Sequence, residues 1–196
     1  GYTYPWRRRR APWMSGALSY FFAYNFTART SPMPQTRFCP WCGNRLGTKE
    51  IEGREYAACA ADGCGYVFWD NPLTVVAAIV EHEGSVILAR GRGWPEKMFG
   101  LVTGFLEKGE SPEDAVIREV REELGLSAAI RGLVGIYPFF QKNQLILAYD
   151  MVAEGEVSLN EELVEIRHVS PDKLRPWPFG TGVAVGDWLK KRQAGG

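Results

Sequence analysis

The chain has 196 residues, of which 45% are hydrophobic and 23% charged, with 23 basic and 23 acidic side chains in balance. That length can bury a sizeable core, and no apolar run reaches the roughly 20 residues that a bilayer-spanning helix needs, so a helical membrane protein is excluded. The even balance hides an asymmetry, because the first 38 residues hold Arg7, Arg8, Arg9, Arg10, Arg29 and Arg37 and no acid, leaving 17 basic against 23 acidic groups in the rest.

Residues 1–35 read as an N-terminal extension, rich in arginine and aromatics and expected to be poorly ordered. It starts without Met, contains Met14 and Met33, and its apolar patch over 17–26 is too short for a membrane. Such a stretch fits an organellar transit peptide or an upstream extension with Met33 as the start. The expected compartment is the cytoplasm, or an organelle if the extension is a transit peptide.

Residues 36–72 carry Cys39-Pro-Trp-Cys42-Gly43 and, after sixteen residues, Cys59-Ala-Ala-Asp-Gly-Cys64-Gly65, which together use all four cysteines. Two close pairs, each followed by glycine, suit two tight knuckles that present thiolates tetrahedrally to Zn²⁺. The second pair is wider than the commonest C-x2-C. Disulfides are the competing reading, disfavoured because intracellular thiols stay reduced. Four thiolates fill the coordination sphere, so Cys39, Cys42, Cys59 and Cys64 are expected to hold a structural zinc in a small ribbon.

From Leu73 the pattern turns to strands: 73–80, a turn over 82–85, and 86–90, followed by a loop over 91–97 with Arg92 and Trp94. Trp94 and Phe99 could wall a pocket or pack. Ser111-Pro112-Glu113-Asp114 is a helix start, with Ser111 as N-cap, proline in the first turn and acids near the positive end of the dipole. Gly125 ends that helix. Val116, Ile117, Val120 and Leu124 gather on one stripe, while Glu119, Glu122 and Glu123 form a carboxylate face whose mutual repulsion a hard divalent ion would convert into binding. Arg118, one turn before Glu122, could orient a carboxylate. A solvated acidic face paired with Arg118 and Arg121 is the bland alternative. Further strands are expected over 130–136, 145–151 and 165–169, and a closing helix over 181–192. Strands on both sides of the helix imply an α/β/α sandwich with a mixed sheet.

Gly104 to Leu126, GFLEKGESPEDAVIREVREELGL, matches the pattern G-x5-E-x7-R-E-U-x-E-E-x-G-U, with U apolar, at every specified position. Seven fixed letters in register arise by chance in about one window in a billion at average residue frequencies. The segment resembles the Nudix box, and residues 73–196 are read as a Nudix hydrolase domain ending in a helix. The resemblance implies hydrolysis of a diphosphate linked to another moiety, usually a nucleoside, with Mg²⁺ or Mn²⁺ held by Glu119, Glu122, Glu123 and the Gly104 carbonyl. A further glutamate after the box often joins the metals or acts as base in such relatives. Glu165 is the first choice here and Glu162 the second, so the expected catalytic set is Arg118, Glu119, Glu122, Glu123 and Glu165.

A zinc ribbon directly before a Nudix domain is similar to NADH pyrophosphatases and some FAD pyrophosphatases. Those NADH enzymes carry S-Q-P-W-P-F-P-x-S after the box, whereas this chain has Ile136-Tyr-Pro-Phe-Phe-Gln-Lys-Asn-Gln144, agreeing only in a proline and aromatic character. Trp177-Pro178-Phe179 falls too late to be that element. Tyr137, Phe139 and Phe140 are therefore candidates to stack a base, and Asn143 and Gln144 to read its polar edges. The expected substrate is a nucleotide, with a dinucleotide such as NADH or FAD first. ADP-ribose hydrolysis, nucleoside triphosphate sanitising and RNA cap removal are the alternatives, and a nucleotide sensor or nucleic-acid-binding module without catalysis is the reading from another class. His82 and His168 are read as strand or surface residues. No membrane partner is expected and a homodimer is left open. Nucleic acid is not expected, because residues 36–72 hold four basic side chains against five acidic ones.

Overall fold

A computed structural model of the chain describes residues 37–194, and the expectations for the N-terminal extension lie outside them. The described residues divide between Pro72 and Leu73 into two compact units. In the first, the Cys39–Gly43 knuckle leads into β1 (Leu46–Ile51) and β2 (Arg54–Cys59), joined by a turn at Glu52-Gly53, where both residues have positive φ. A short β3 (Val67–Phe68) completes a three-stranded antiparallel sheet in the order β1-β2-β3. Among the described residues of this unit only Cys39 and Ala58 are buried apolar side chains, which make almost no hydrophobic core.

The second unit is built on β4 (Leu73–His82), a continuous β-branched and alanine run buried on both faces. A Glu83-Gly84 turn with positive φ at both positions, as a tight hairpin requires, returns the chain as β5 (Ser85–Gly91). Next come β6 (Val102–Phe105), α1 (Pro112–Leu124), β7 (Ser127–Phe139), a 3₁₀ turn (Phe140–Lys142), β8 (Gln144–Glu154), β9 (Leu163–Val169) and α2 (Gly182–Ala194). The sheet order is β7-β8-β4-β5-β9, with β6 on β4; β4 and β8 are parallel and the remaining pairs antiparallel.

Even positions of β4 (Val76, Ala78, Val80) face Ala115, Val116, Val120 and Leu124 of α1. Odd positions (Val75, Ala77, Ile79) face Ala184, Val185 and Trp188 of α2. The result is the α/β/α sandwich with a mixed sheet. Helix α1 starts where expected: Ser111 Oγ accepts from the Asp114 amide at 3.1 Å, and Gly125, at φ 71°, donates to Arg121 O at 3.0 Å. One stripe residue is corrected, since Ile117 is 36% exposed and Ala115 takes its place in the core. Among the described residues no helix is long and apolar enough to cross a membrane.

Candidate metal and nucleotide site

Two short segments set up the glutamate face. Antiparallel pairing of Gly104 with Val76 turns position 104 toward α1, and a Cβ there would fall inside the Glu119 carboxyl group. Glycine is needed so that the carboxylate can lie on the strand backbone. Gly104→Ala should therefore displace Glu119 and lower turnover by about tenfold or more, because small misplacements of reacting groups are costly. Circular dichroism should remain native, and unchanged turnover would show that the close approach has no catalytic use.

Arg118 joins the acids. Its Nε and Nη2 fork onto Glu110 at 3.1 and 2.8 Å, Nη1 reaches Glu119 at 2.6 Å and Glu122 at 3.2 Å, and Nη2 also donates to Phe105 O at 3.1 Å. The planar guanidinium thus ties the end of β6, the loop before α1 and two turns of the helix together. The Arg118 fork holds the Glu110 carboxyl below its ordinary range. Glu110 is a fixed letter of the box, yet sequence reasoning gave it no role.

The Glu119 and Glu123 side chains are buried, while Glu122 is about half exposed. Burial, opposed by Arg118 and reinforced by Glu122 and Glu162, pushes Glu119 up to about 7. Burial and then the neighbouring Glu119, Glu162 and Glu122 push Glu123 up to about 9. Among the described residues no hydrogen bond reaches the Glu123 carboxyl. Because both folded-state values lie above the ordinary 4.5, the protonated forms stabilise the fold. That stability is complete below about 4.5 and is lost as pH rises through about 7 and 9. In buffer free of divalent ions, the melting temperature should fall over this window. Glu123→Gln should flatten the upper part, and an unaltered pH slope in that variant would contradict the assignment.

The loop before β9 positions one of the glutamates that follow the box. Amides of Ser158 and Asn160 donate to the Leu124 and Glu123 carbonyls, and the Asn160 side chain accepts from the Glu162 and Leu163 amides at 3.0 and 3.3 Å. This Asx-type turn holds Glu162 beside α1, where burial and then Glu122 raise its pKa. Arg92 ties the same loop from the other side, its amide to Glu162 O at 2.7 Å and its Nε to Glu161 O at 2.8 Å. Glu165, the first choice from sequence, receives both Nε and Nη2 of Arg90 at 3.1 and 2.9 Å, with Arg167 beyond. The Arg90 hydrogen bond keeps its pKa low.

On the opposite face of the sheet, a cavity of about 250 Å³ is lined by Val75, Thr103, Phe139, Gln144 and Ile146 of the strands together with Trp94, Phe99, Trp177 and Phe179. Of the five expected substrate residues, Phe139 and Gln144 line it. Tyr137 does not; its hydroxyl donates to Asp187 at 3.2 Å, and burial and then that carboxylate push it up to about 12. Phe140 is 84% exposed, and Asn143, in the left-handed region at φ 49°, closes the 3₁₀ turn. Trp94 and Phe99 do line the cavity, and so do Trp177 and Phe179, which sequence order had set aside. His82 and His168 meet each other at 3.2 Å, with His82 Nε2 3.0 Å from Gly155 O, outside both sites.

All four thiols of the first unit are free and their sulfurs lie within 4.8 Å of one another. Cys39–Cys64 and Cys42–Cys59 are 3.6 and 3.4 Å apart, near the roughly 3.8 Å edge of a tetrahedron with 2.3 Å Zn–S bonds. The Asn44 amide, then its side chain, lowers Cys42 to about 6, as a cation-binding knuckle requires. At Cys64 the Tyr66 amide acts downward, but burial and the other thiols outweigh it and hold the group up at about 12. The donor set suits a soft divalent ion that relieves this mutual repulsion.

A NUDIX domain model matches residues 70–184, more than half of the chain. The chain belongs to the Nudix family. The NAD-capped RNA hydrolase NudC of Mycobacterium bovis (strain BCG / Pasteur 1173P2) is 35% identical over 112 residues, 55% of this chain and 34% of that protein. NudC of Pseudomonas aeruginosa (strain LESB58) is 29% identical over 150 residues, 76% of this chain and 52% of that protein. The chain thus spans a third to a half of the length of these curated relatives. The crystal structure of a NUDIX hydrolase from Nitrosomonas europaea aligns with TM-score 0.70 at 23% identity, covering 81% of this chain and 93% of that one. That likeness bears on the fold.

Proposed function

We propose that this Nudix protein is a metal-dependent pyrophosphohydrolase that cleaves the diphosphate link of a nucleoside diphosphate derivative, a dinucleotide of the NADH or FAD class first. The observation that carries the reading is the buried pair Glu119 and Glu123, whose raised pKa values mark a cluster built to be neutralised by a cation, with Glu122 and Glu162 beside it. Mg²⁺ or Mn²⁺ on these carboxylates and the Gly104 carbonyl would balance the phosphate charge and lower the pKa of a water. Arg118 positions Glu119 and Glu122. Glu162, near the cluster and free of any ion pair among the described residues, is the side chain to take the proton from the attacking water. Glu165 serves the β5–β9 pair instead. The aromatic cavity holds a base, with Phe139 and Trp177 as stacking surfaces and Gln144 as a polar contact. Cys39, Cys42, Cys59 and Cys64 hold a structural zinc.

A second reading, removal of a dinucleotide cap from RNA, is favoured by the names of the relatives above. Turnover of NADH, NAD, FAD, ADP-ribose, nucleoside triphosphates and NAD-capped RNA with Mg²⁺ and with Mn²⁺ tests both. A dinucleotide, free or capping RNA, should be cleaved most efficiently; efficient cleavage of triphosphates alone would reject the reading. Phe139→Ala or Trp177→Ala should raise KM by about tenfold, given roughly 1–3 kcal/mol per stacked base.

A further inference from the structure

The cysteine-bearing unit carries a groove of about 850 Å³ that the nucleotide reading does not use. Arg37, Arg45 and Arg54 line it together with Tyr56 and Trp69. None of the three arginines is in an ion pair among the described residues. Trp69 is 51% exposed and meets Tyr56 edge to face at 5.1 Å. Arg45, Gly47, Arg54 and Tyr56 share one parity of the β1–β2 pair, and the groove also takes in Leu46, Thr48, Glu55 and Ala57 of the other parity, so it is not confined to one face of the sheet. Glu50 and Glu55 oppose each other across β1 and β2, and Glu52 sits in the turn. Glu55 and Asp70 also border the groove, without removing its excess of positive charge.

The net count of four basic against five acidic residues therefore conceals a local excess, since Arg37, Arg45 and Arg54 line this groove against Glu55 and Asp70. Positive charge and exposed aromatic surface lie together, as recognition of unpaired nucleotides needs. We infer that this groove binds single-stranded nucleic acid, with phosphates on Arg37, Arg45 and Arg54 and a base stacked on Trp69 beside Tyr56. The inference deepens the reading above by adding a polynucleotide to the nucleotide substrates, and it rests on that reading in this respect only.

Fluorescence anisotropy of the full chain with a short labelled single-stranded RNA, under conditions without turnover, tests it. Three neutralised phosphates predict an affinity loss of roughly twentyfold between about 50 and 200 mM salt. The double variant Arg45→Gln with Arg54→Gln should bind weakly and lose about two thirds of the salt slope. Trp69→Ala should weaken binding by about tenfold with little change in slope. A duplex of the same sequence should bind less well, since its bases are already stacked. Arg7 to Arg10 are present in every protein compared, so they cannot create the differences. Both arginines are exposed, so their variants should keep the circular dichroism of the parent even if Trp69→Ala does not fold. Undiminished binding by the double variant, equal binding of duplex, or no binding at micromolar protein would overturn the inference. RNA binding by a chain that cleaves no dinucleotide would uphold it and reject the substrate reading; the converse result would do the opposite.

Discussion

Glu122→Gln should lower kcat on a diphosphate substrate by about 10²-fold or more at saturating Mg²⁺, the scale seen when one preorganised electrostatic group is deleted. The fold should survive. Glu122 is half exposed and its partner within 3.2 Å is Arg118, which keeps Glu110 and Glu119. Removing one charge beside two buried carboxylates should even relieve repulsion in metal-free protein. Glu113→Gln, on the same helix, provides the contrast: its carboxylate accepts from Tyr149 Oη at 3.1 Å, a bond that the amide oxygen can keep. Turnover of that variant should stay within about twofold of the parent, on the usual scale of surface substitutions. Comparable kcat for the two variants, both folded by circular dichroism, would leave the carboxylate face as mere solvated surface.

Cys42→Ser should remove almost all bound zinc and unfold β1 and β2 locally. With Cys39 and Ala58 as its buried apolar residues, this unit has little else to hold it. Structural zinc contributes on the order of 10–16 kcal/mol of binding energy in small zinc modules, and that energy is folding energy. Metal analysis should find about one zinc per chain in the parent and close to none in the variant. Hydrogen exchange should lose protection in β1 and β2 while α1 amides stay protected. A parent protein free of zinc, or a zinc-free variant with unchanged protection, would remove the metal from the account.

Local chemistry made α1 legible: the Ser111 cap, Pro112 and Gly125 are signals a few residues long, and the helix begins and ends with them. β4 was legible as an uninterrupted β-branched run, although Glu81 and His82 extend it to the turn. β6 was missed, since of its four residues only Gly104 was given a role, as a carbonyl ligand. It is a strand whose glycine faces the helix. Glu165 and Glu162 show where sequence reading stops. Both follow the box, but only pairing across β5 and β9 puts Arg90 opposite Glu165, and only the Asn160 turn keeps Glu162 beside α1. The cavity was half legible because its aromatics come from three separate segments. Phe139 could be named from its local pattern, whereas Trp177 reaches the same place through the chain entering α2.

The alternation of β4 between two cores divides labour along a single strand. Val75 touches the aromatic cavity, and its neighbour Val76 packs under α1, where Gly104 and Glu119 meet. Trimming Val75 reshapes the cavity while leaving the acidic helix on its bed; trimming Val76 loosens that bed and spares the cavity. Ligand preference and reaction chemistry can therefore drift separately in such a domain, one residue apart, because a pleat keeps them on opposite sides of the same backbone.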